Sequence, residues 1–373
     1  MKPIMLTAEV LGCVALAAAF IGTTDRESAD SVSFRVVRIG EMSVDRAAHQ
    51  ATLLETGQVL ITGGCAGRGC GRILNLVDLY DPEARSFTSV APMTAPRAGH
   101  VAAALPDGRV LVSGGWTGQR AAASAEIYDP GADRWTVVGE MTQARASHMA
   151  VPLGTGGVLM VSGGEGGLGD LASAEIFDPA ASRFSAVGRM RTNHYLATRL
   201  ADGRVLMTGG QDAQGEILAS AEIFDPSTGE SEPTGSMAVA RVKHAAALLP
   251  DGRVLIIGGS DTRGYAARFA STEIYDPATG EFSLGPDMQW GRHKIRDAVA
   301  ALSSGAILVA GGALPPELYD PADGVFVPVG GELSGPQMFA TATPLASGEV
   351  LVLGGYDDRT QSSAGAWLVG SKR

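Results

Sequence analysis

The chain has 373 residues, a formal net charge of -11, 18 % charged residues and 6 % aromatics. The acidic balance excludes a nucleic-acid partner, which needs a basic footprint for phosphate. Hydrophobic residues at 45 % suffice for a large core, and 50 glycines fit many short strands joined by tight turns, where glycine supplies positive φ without steric cost.

Residues 1–19 read as a signal peptide. Lys2 gives a weak positive start, and residues 10–22 (VLGCVALAAAFIG) form an apolar run. It is shorter than the ~20 residues of a bilayer span and suits a signal h-region. Ala17, Ala18 and Ala19 offer a cleavage site, with Phe20 the first mature residue; Glu9 departs from the pattern. VLGC at 10–13 looks like a lipobox, but the apolar run follows Cys13 instead of preceding it, so no lipoprotein anchor is expected. An uncleaved anchor is the alternative. The expectation is a secreted or periplasmic protein with no stable membrane span, a short linker at 20–32 and one folded domain over 33–373.

That domain opens with a strand at 33–39 (SFRVVRI). Cys65 and Cys70 follow in one loop. In an oxidising compartment they form a disulfide, whereas two thiolates supply only half a zinc shell.

Seven apolar runs then end in Gly-Gly, at Gly63, Gly114, Gly163, Gly209, Gly258, Gly311 and Gly354, about 50 residues apart. Each repeat holds four strand candidates. A small apolar strand (100–105) leads through Asp-Gly (Asp107-Gly108, Asp202-Gly203, Asp251-Gly252), a strong hairpin signal. The run into Gly-Gly is the second. The third reads E-I-Y/F-D-P at 126–130, 175–179, 222–226 and 273–277, and the fourth runs to a Met, as in 134–141. Asp-Pro between them starts a turn.

Double glycine, acidic-aromatic third strand and closing fourth strand resemble the kelch-repeat family across residues 33–370. The resemblance implies an all-β fold, a seven-bladed β-propeller of four-stranded blades. The last repeat has strands at 340–345, 350–355 and 366–369 but no fourth, so the strand at 33–39 is expected to close that blade and remove the exposed edges.

In such a ring the first strands line the channel. The Asp-Gly and Asp-Pro turns lie on one face and read as scaffold. The 2–3 loops and 4–1 connections lie on the other and vary between blades, so they read as the functional face. Its 2–3 loops are 65–74, 116–123, 165–172, 211–219, 260–270, 313–315 and 356–364.

Counting back fourteen residues from Gly-Gly gives His49, His100, Tyr195, His244, Asp297 and Ala340, and a longer turn brings His148 into the third slot. Arg46, Arg97, Arg145 and Arg241 precede the slot by three residues, with Arg191 near it. Imidazoles at a channel mouth can hold a metal or an anion. Alternatively each His bonds a neighbouring backbone and each Arg pairs with Asp78, Glu126, Glu175, Glu222, Glu273 or Glu317 of a third strand. The structural role is expected, because these residues recur in every blade, and Tyr195, Asp297 and Ala340 are then the informative departures.

The candidate ligand-binding residues are Trp116, Arg120, Tyr195, Arg263, Tyr265, Trp290, Arg292, His293, Asp297, Tyr356 and Arg359, aromatics and charges suited to stacking on and bonding a glycan or a protein. Trp116 and Arg292 are expected to carry binding without carrying the fold. The expectation is an exported, non-catalytic binding module, with no catalytic residue, metal or cofactor assigned.

The alternative is an exported propeller enzyme acting on carbohydrate. Copper proteins similar to galactose oxidase use a Tyr cross-linked to Cys, a second Tyr and two His, one of them from an extra domain. Here no further domain is expected, Cys65 and Cys70 are assigned to each other, and no Tyr-His dipeptide occurs. Propellers resembling sialic-acid mutarotase use carboxylate-binding Arg, but no motif here points to that substrate.

Overall fold

The computed structural model describes residues 34–371 except 165–171, 213, 262–266 and 332. The expected signal peptide and most of the 165–172 loop lie outside the described residues, as do Arg263 and Tyr265.

The strands form seven four-stranded antiparallel sheets. Blade one is Gln50–Leu53, Val59–Thr62, Val77–Asp81 and Ser86–Val90, and the order recurs through blade six. Successive first strands touch around a full circle, from Gln50–Leu53 through to Thr341–Pro344 and back. In blade seven, Phe34–Glu41 is the outer strand, antiparallel to Gly365–Ser371, with Val36 opposite Val369. The amino-terminal strand therefore closes the ring, as expected. Among the described residues no helix is long and apolar enough to cross a membrane.

The second strands are buried along their whole length, in keeping with their continuous β-branched and leucine sequences. Their side chains fill the spaces between blades: Val59, Ile61 and Tyr80 of blade one pack with Leu351, Leu353 and Leu368 of blade seven. The third and fourth strands are pinned by tilted aromatic pairs across the Asp-Pro turn. Tyr80–Phe87, Tyr128–Trp135 and Tyr319–Phe326 have ring centroids 4.9, 5.0 and 5.0 Å apart.

The double glycine is where one blade meets the next. The Gly64 amide donates to Arg97 O at 2.8 Å and Gly115 to Arg145 O at 2.7 Å. A Cβ on Gly63, at φ 54°, would sit 2.5 Å from Arg97 O, so a side chain here would have to displace that carbonyl. In blade three Ser162 and Gly163 occupy these two places, at φ 62° and 76°. Arg145 donates to Ser162 O at 2.8 Å, as Arg97 does to Gly114 O. The expected longer turn in that blade is therefore absent: Leu153 and Gly157 close the same turn as Leu105 and Arg109. His148 reaches its slot because the Gly163-Gly164 pair sits one residue late.

Candidate functional site: the central cavity

Each blade is entered through a residue four places after a Met or Leu: Arg46, Arg97, Arg145, His194, Arg241, Arg292 and Gln337. All seven are buried. Arg46 pairs with Asp78, Arg97 with Glu126, Arg145 with Glu175, Arg241 with Glu273 and Arg292 with Glu317, at 2.8–3.1 Å. Each acid also takes a backbone amide of the 4–1 connection, such as Thr94 N on Glu126 at 2.8 Å. These Arg residues thus hold their blades together, as their recurrence implied.

Arg292 belongs to this set, which corrects its selection as a ligand-binding residue. It is fully buried, and it donates to Glu317 and to the carbonyls of Gly311 and Ala313. His293 beside it is also buried.

The recurring histidines are interblade staples. His100 Nε2 meets Thr62 Oγ1 at 2.9 Å, His244 meets Thr208 Oγ1 at 2.9 Å, His148 meets Ser113 Oγ at 3.3 Å and His49 meets Thr341 Oγ1 at 3.1 Å. The partner is a hydroxyl of the preceding blade, not the expected backbone group. Burial first, and the neighbouring guanidinium second, hold His49, His148 and His244 well below the usual imidazole range and bring His100 to about 3. Among the described residues no group of three or more His, Cys, Asp or Glu is placed to hold a metal.

Two places after Arg46, Arg97, Arg145, Arg241, Arg292 and Gln337 the backbone bends into the left-handed region. Ala48, Gly99, Ser147, Lys243, Lys294 and Phe339 all have φ between 50° and 59°. Their peptides form a belt: Lys294 N donates to Lys243 O, Phe339 N to Lys294 O, Ala48 N to Phe339 O, Gly99 N to Ala48 O and Ser147 N to Gly99 O, at 2.7–3.1 Å.

The belt is open at blade four. Met190 and Gly209 stand two residues closer than Met42 and Gly63 do in blade one, so the left-handed bend is missing. His194 takes the Arg position, with Nδ1 at 2.9 Å from Gly209 O and Nε2 at 3.1 Å from Glu222. Burial alone would raise the Glu222 pKa, but hydrogen bonds from His194, Ser231 and the Arg191 amide prevail and bring it to about 2. Tyr195 consequently turns toward the channel.

Blade six is two residues longer than blade one over the same interval. The extra residues form a turn at Arg296-Asp297, where Ala298 N bonds Ile295 O at 2.9 Å. Arg296 Nη1 reaches across the ring to Ser147 O at 3.1 Å and His148 O at 3.2 Å. It therefore occupies the acceptor left open by the belt. Its remaining nitrogens face Asp297 Oδ2 at 3.4 Å, which Gln50 Nε2 also approaches at 3.4 Å. Burial opposes the Arg296 charge, but Asp297 more than compensates.

These two irregularities shape a cavity of ≈ 420 Å³ at the channel mouth. Tyr195, Lys243, Arg296, Asp297 and Phe339 line it together with Trp116, Ile73 and the Cys65–Cys70 loop. Cys65 and Cys70 are joined as a disulfide, and Gly69 N of that loop bonds Thr360 O of blade seven at 2.9 Å. Lys243 Nζ lies 5.1 Å from the Phe339 ring and 5.7 Å from that of Tyr195. Burial first, then Arg296 and Lys294, bring its pKa down to about 7. Lys294 Nζ bonds Tyr356 Oη at 2.9 Å, and burial with Arg268 nearby lowers its pKa.

Of the sequence candidates, Trp116, Tyr195 and Asp297 line this cavity, and Tyr356 stands outside the lining, with its ring 5.6 Å from that of Phe339. Arg120 and Arg359 sit in exposed turns outside the lining, and Trp290 is half-buried outside it. Lys243, Lys294, Arg296, Phe339 and Gln50 were missed. The signal was available: four lysines occur in the chain, and the two internal ones take the same place in adjacent blades.

The kelch motif model matches residues 56–94, 96–142 and 241–289. No curated protein matches the sequence. Among solved structures the chain is similar to a fungal alcohol oxidase of the AA5 family determined with copper, at 18 % identity and a TM-score of 0.72, over 91 % of this chain and 76 % of that one. At that identity the likeness concerns the fold. The cavity lining here offers an amine, a guanidinium, an amide, a phenol, a hydroxyl and one carboxylate, with no imidazole and no free thiol among the described residues, so it lacks the nitrogen ligands a copper ion prefers.

Proposed function

We propose that this chain, a kelch-repeat β-propeller, is an exported binding module that seats one end of a glycan or protein ligand in the central cavity. The observation that carries the reading is the paired irregularity of blades four and six. Scaffold residues repeat around the ring, whereas Tyr195 and Arg296-Asp297 break it at one place, and a site needs such asymmetry. Lys243 and Arg296 outnumber Asp297 in the lining, with Lys294 close enough to act on Lys243, in a protein of net charge -11. The ligand end is therefore acidic, with apolar surface to meet Trp116 and Phe339. Export rests on the apolar leader at 10–22 and agrees with the Cys65–Cys70 disulfide.

The test is a glycan and peptide array read with purified protein, followed by calorimetry on the hits and on their neutral analogues. Acidic hits that weaken on neutralisation support the reading. Binding confined to neutral ligands, or unchanged by Trp116→Ala, counts against it.

A second reading, an exported enzyme acting on carbohydrate, is favoured by one observation: an amine brought to about 7 inside a cavity is the kind of group catalysis uses. Turnover of an array hit would favour it over simple binding.

A further inference from the structure

We propose that Lys243 is a nucleophile that captures an oxo-acid end of the ligand in the central cavity, its Nζ condensing with an aldehyde or ketone to form an imine. The inference rests on the reading of that cavity as the ligand site and adds the chemical class of what enters it.

Composition gives the first argument. The chain holds 29 basic side chains besides histidine, and only Lys2, Lys243, Lys294 and Lys372 among them are lysine. The buried ion pairs that hold the blades take Arg or His as their cation. Arg cannot act as an amine nucleophile, because it stays protonated, whereas Lys loses its proton readily when buried. A sequence that uses Arg almost everywhere places both internal lysines at the channel mouth.

Placement gives the second. Lys243 is 7 % exposed and lines the cavity. Ala48, Gly99 and Ser147 hold the same place in blades one to three, so an amine here is not what the belt requires. The groups facing it include the rings of Tyr195 and Phe339 and the cations Arg296 and Lys294, with Asp297 beside Arg296 and His244 next in the chain. Desolvation next to another cation is how amines are activated for imine formation. It brings Lys243 to about 7, so the neutral amine is populated at neutral pH.

The step balances without an outside reagent. The Nζ lone pair adds to the carbonyl carbon, one of the amine's two protons passes to the carbonyl oxygen and a second comes from solvent water, the oxygen leaves as water, and the nitrogen keeps its other proton as a protonated imine. Arg296 and Lys294 supply the charge that attracts the ligand's carboxylate.

The experiment uses the exported protein with glyoxylate as probe and cyanoborohydride to reduce any imine, followed by peptide mapping. Lys294 and Lys372 serve as comparisons in the same molecule. The expected result is modification of Lys243 at pH 7 faster than of Lys372 by about tenfold or more. Lys243→Arg should abolish the cavity adduct while leaving the fold intact. Modification of Lys243 no faster than Lys372 would overturn the proposal. Acetate, which has no reactive carbonyl, separates the two readings. Acetate binding without a glyoxylate adduct sinks the imine and spares the cavity; neither binding nor adduct sinks both.

Discussion

Arg296 donates from blade six to the backbone carbonyl of Ser147 in blade three, across 149 residues of chain and the full mouth of the channel. The contact exists because blade four lacks the bend that would otherwise supply the donor. One side chain thus closes the belt and forms the cavity wall. Arg296→Met should cost about 2–4 kcal/mol, the loss of charge-assisted hydrogen bonds that leaves two carbonyls short of a donor. Denaturant unfolding checks it, and a change under about 0.5 kcal/mol would show that the belt holds without the bridge.

Arg292→Ala and Trp116→Ala should separate structure from binding. Arg292 is buried against Glu317, and its removal strands that acid, costing about 3–5 kcal/mol. Trp116 is 37 % exposed at the cavity. Its removal should cost about 1 kcal/mol or less in stability and weaken ligand binding about tenfold or more. Thermal melts with calorimetry on the same preparations decide it.

Acid should loosen the ring from its interblade staples. The unfolded chain protonates histidine as pH falls through 6.5, whereas His49, His100, His148 and His244 stay neutral in the fold, His100 down to about 3. The unfolded state then binds more protons, so stability is complete above pH 6.5 and is lost as pH falls below it. At pH 5 each such imidazole costs on the order of 2 kcal/mol. Urea midpoints between pH 8 and 5 measure the slope, and His100→Asn, which can still bond Thr62, should flatten it.

Deleting the strand Phe34–Glu41 should remove about 10 °C or more from the melting temperature, since it uncovers the edge of Gly365–Ser371 and the buried Val36 contact. A deletion variant that melts with the parent would refute this closure.

The fold was legible because its signals repeat. Gly-Gly, the acidic third strand and the incomplete last repeat each recur or fail at a fixed period, and strand alternation follows from them. The structural role of the recurring Arg and His was legible for the same reason, but the hydroxyl partners of the histidines and the His194 partner of Glu222 were not. The cavity was harder to read, because it is made by departures in length. Counting back from Gly-Gly put Asp297 in the slot of His49, but the two-residue insertion in blade six moves that slot to Ile295 and extrudes Arg296-Asp297 into the channel. In blade four the matching deletion puts His194 in an Arg position, which a count anchored only on glycine does not show. Anchoring also on the Met four places ahead exposes both. Arg292 was misread because Trp290 and His293 made its surroundings look unusual, although its spacing from Met288 is that of every structural Arg.

The central claim is that ligand enters the mouth of the channel between Lys243 and Trp116. Ser147→Cys, at the belt and half-buried in the cavity lining, can be coupled to a bulky maleimide, with Cys65 and Cys70 held in their disulfide. Affinity for the array hits should fall about a hundredfold on coupling, with the melting temperature unchanged. Full affinity retained by the blocked protein would contradict the account and move the site off the propeller's axis.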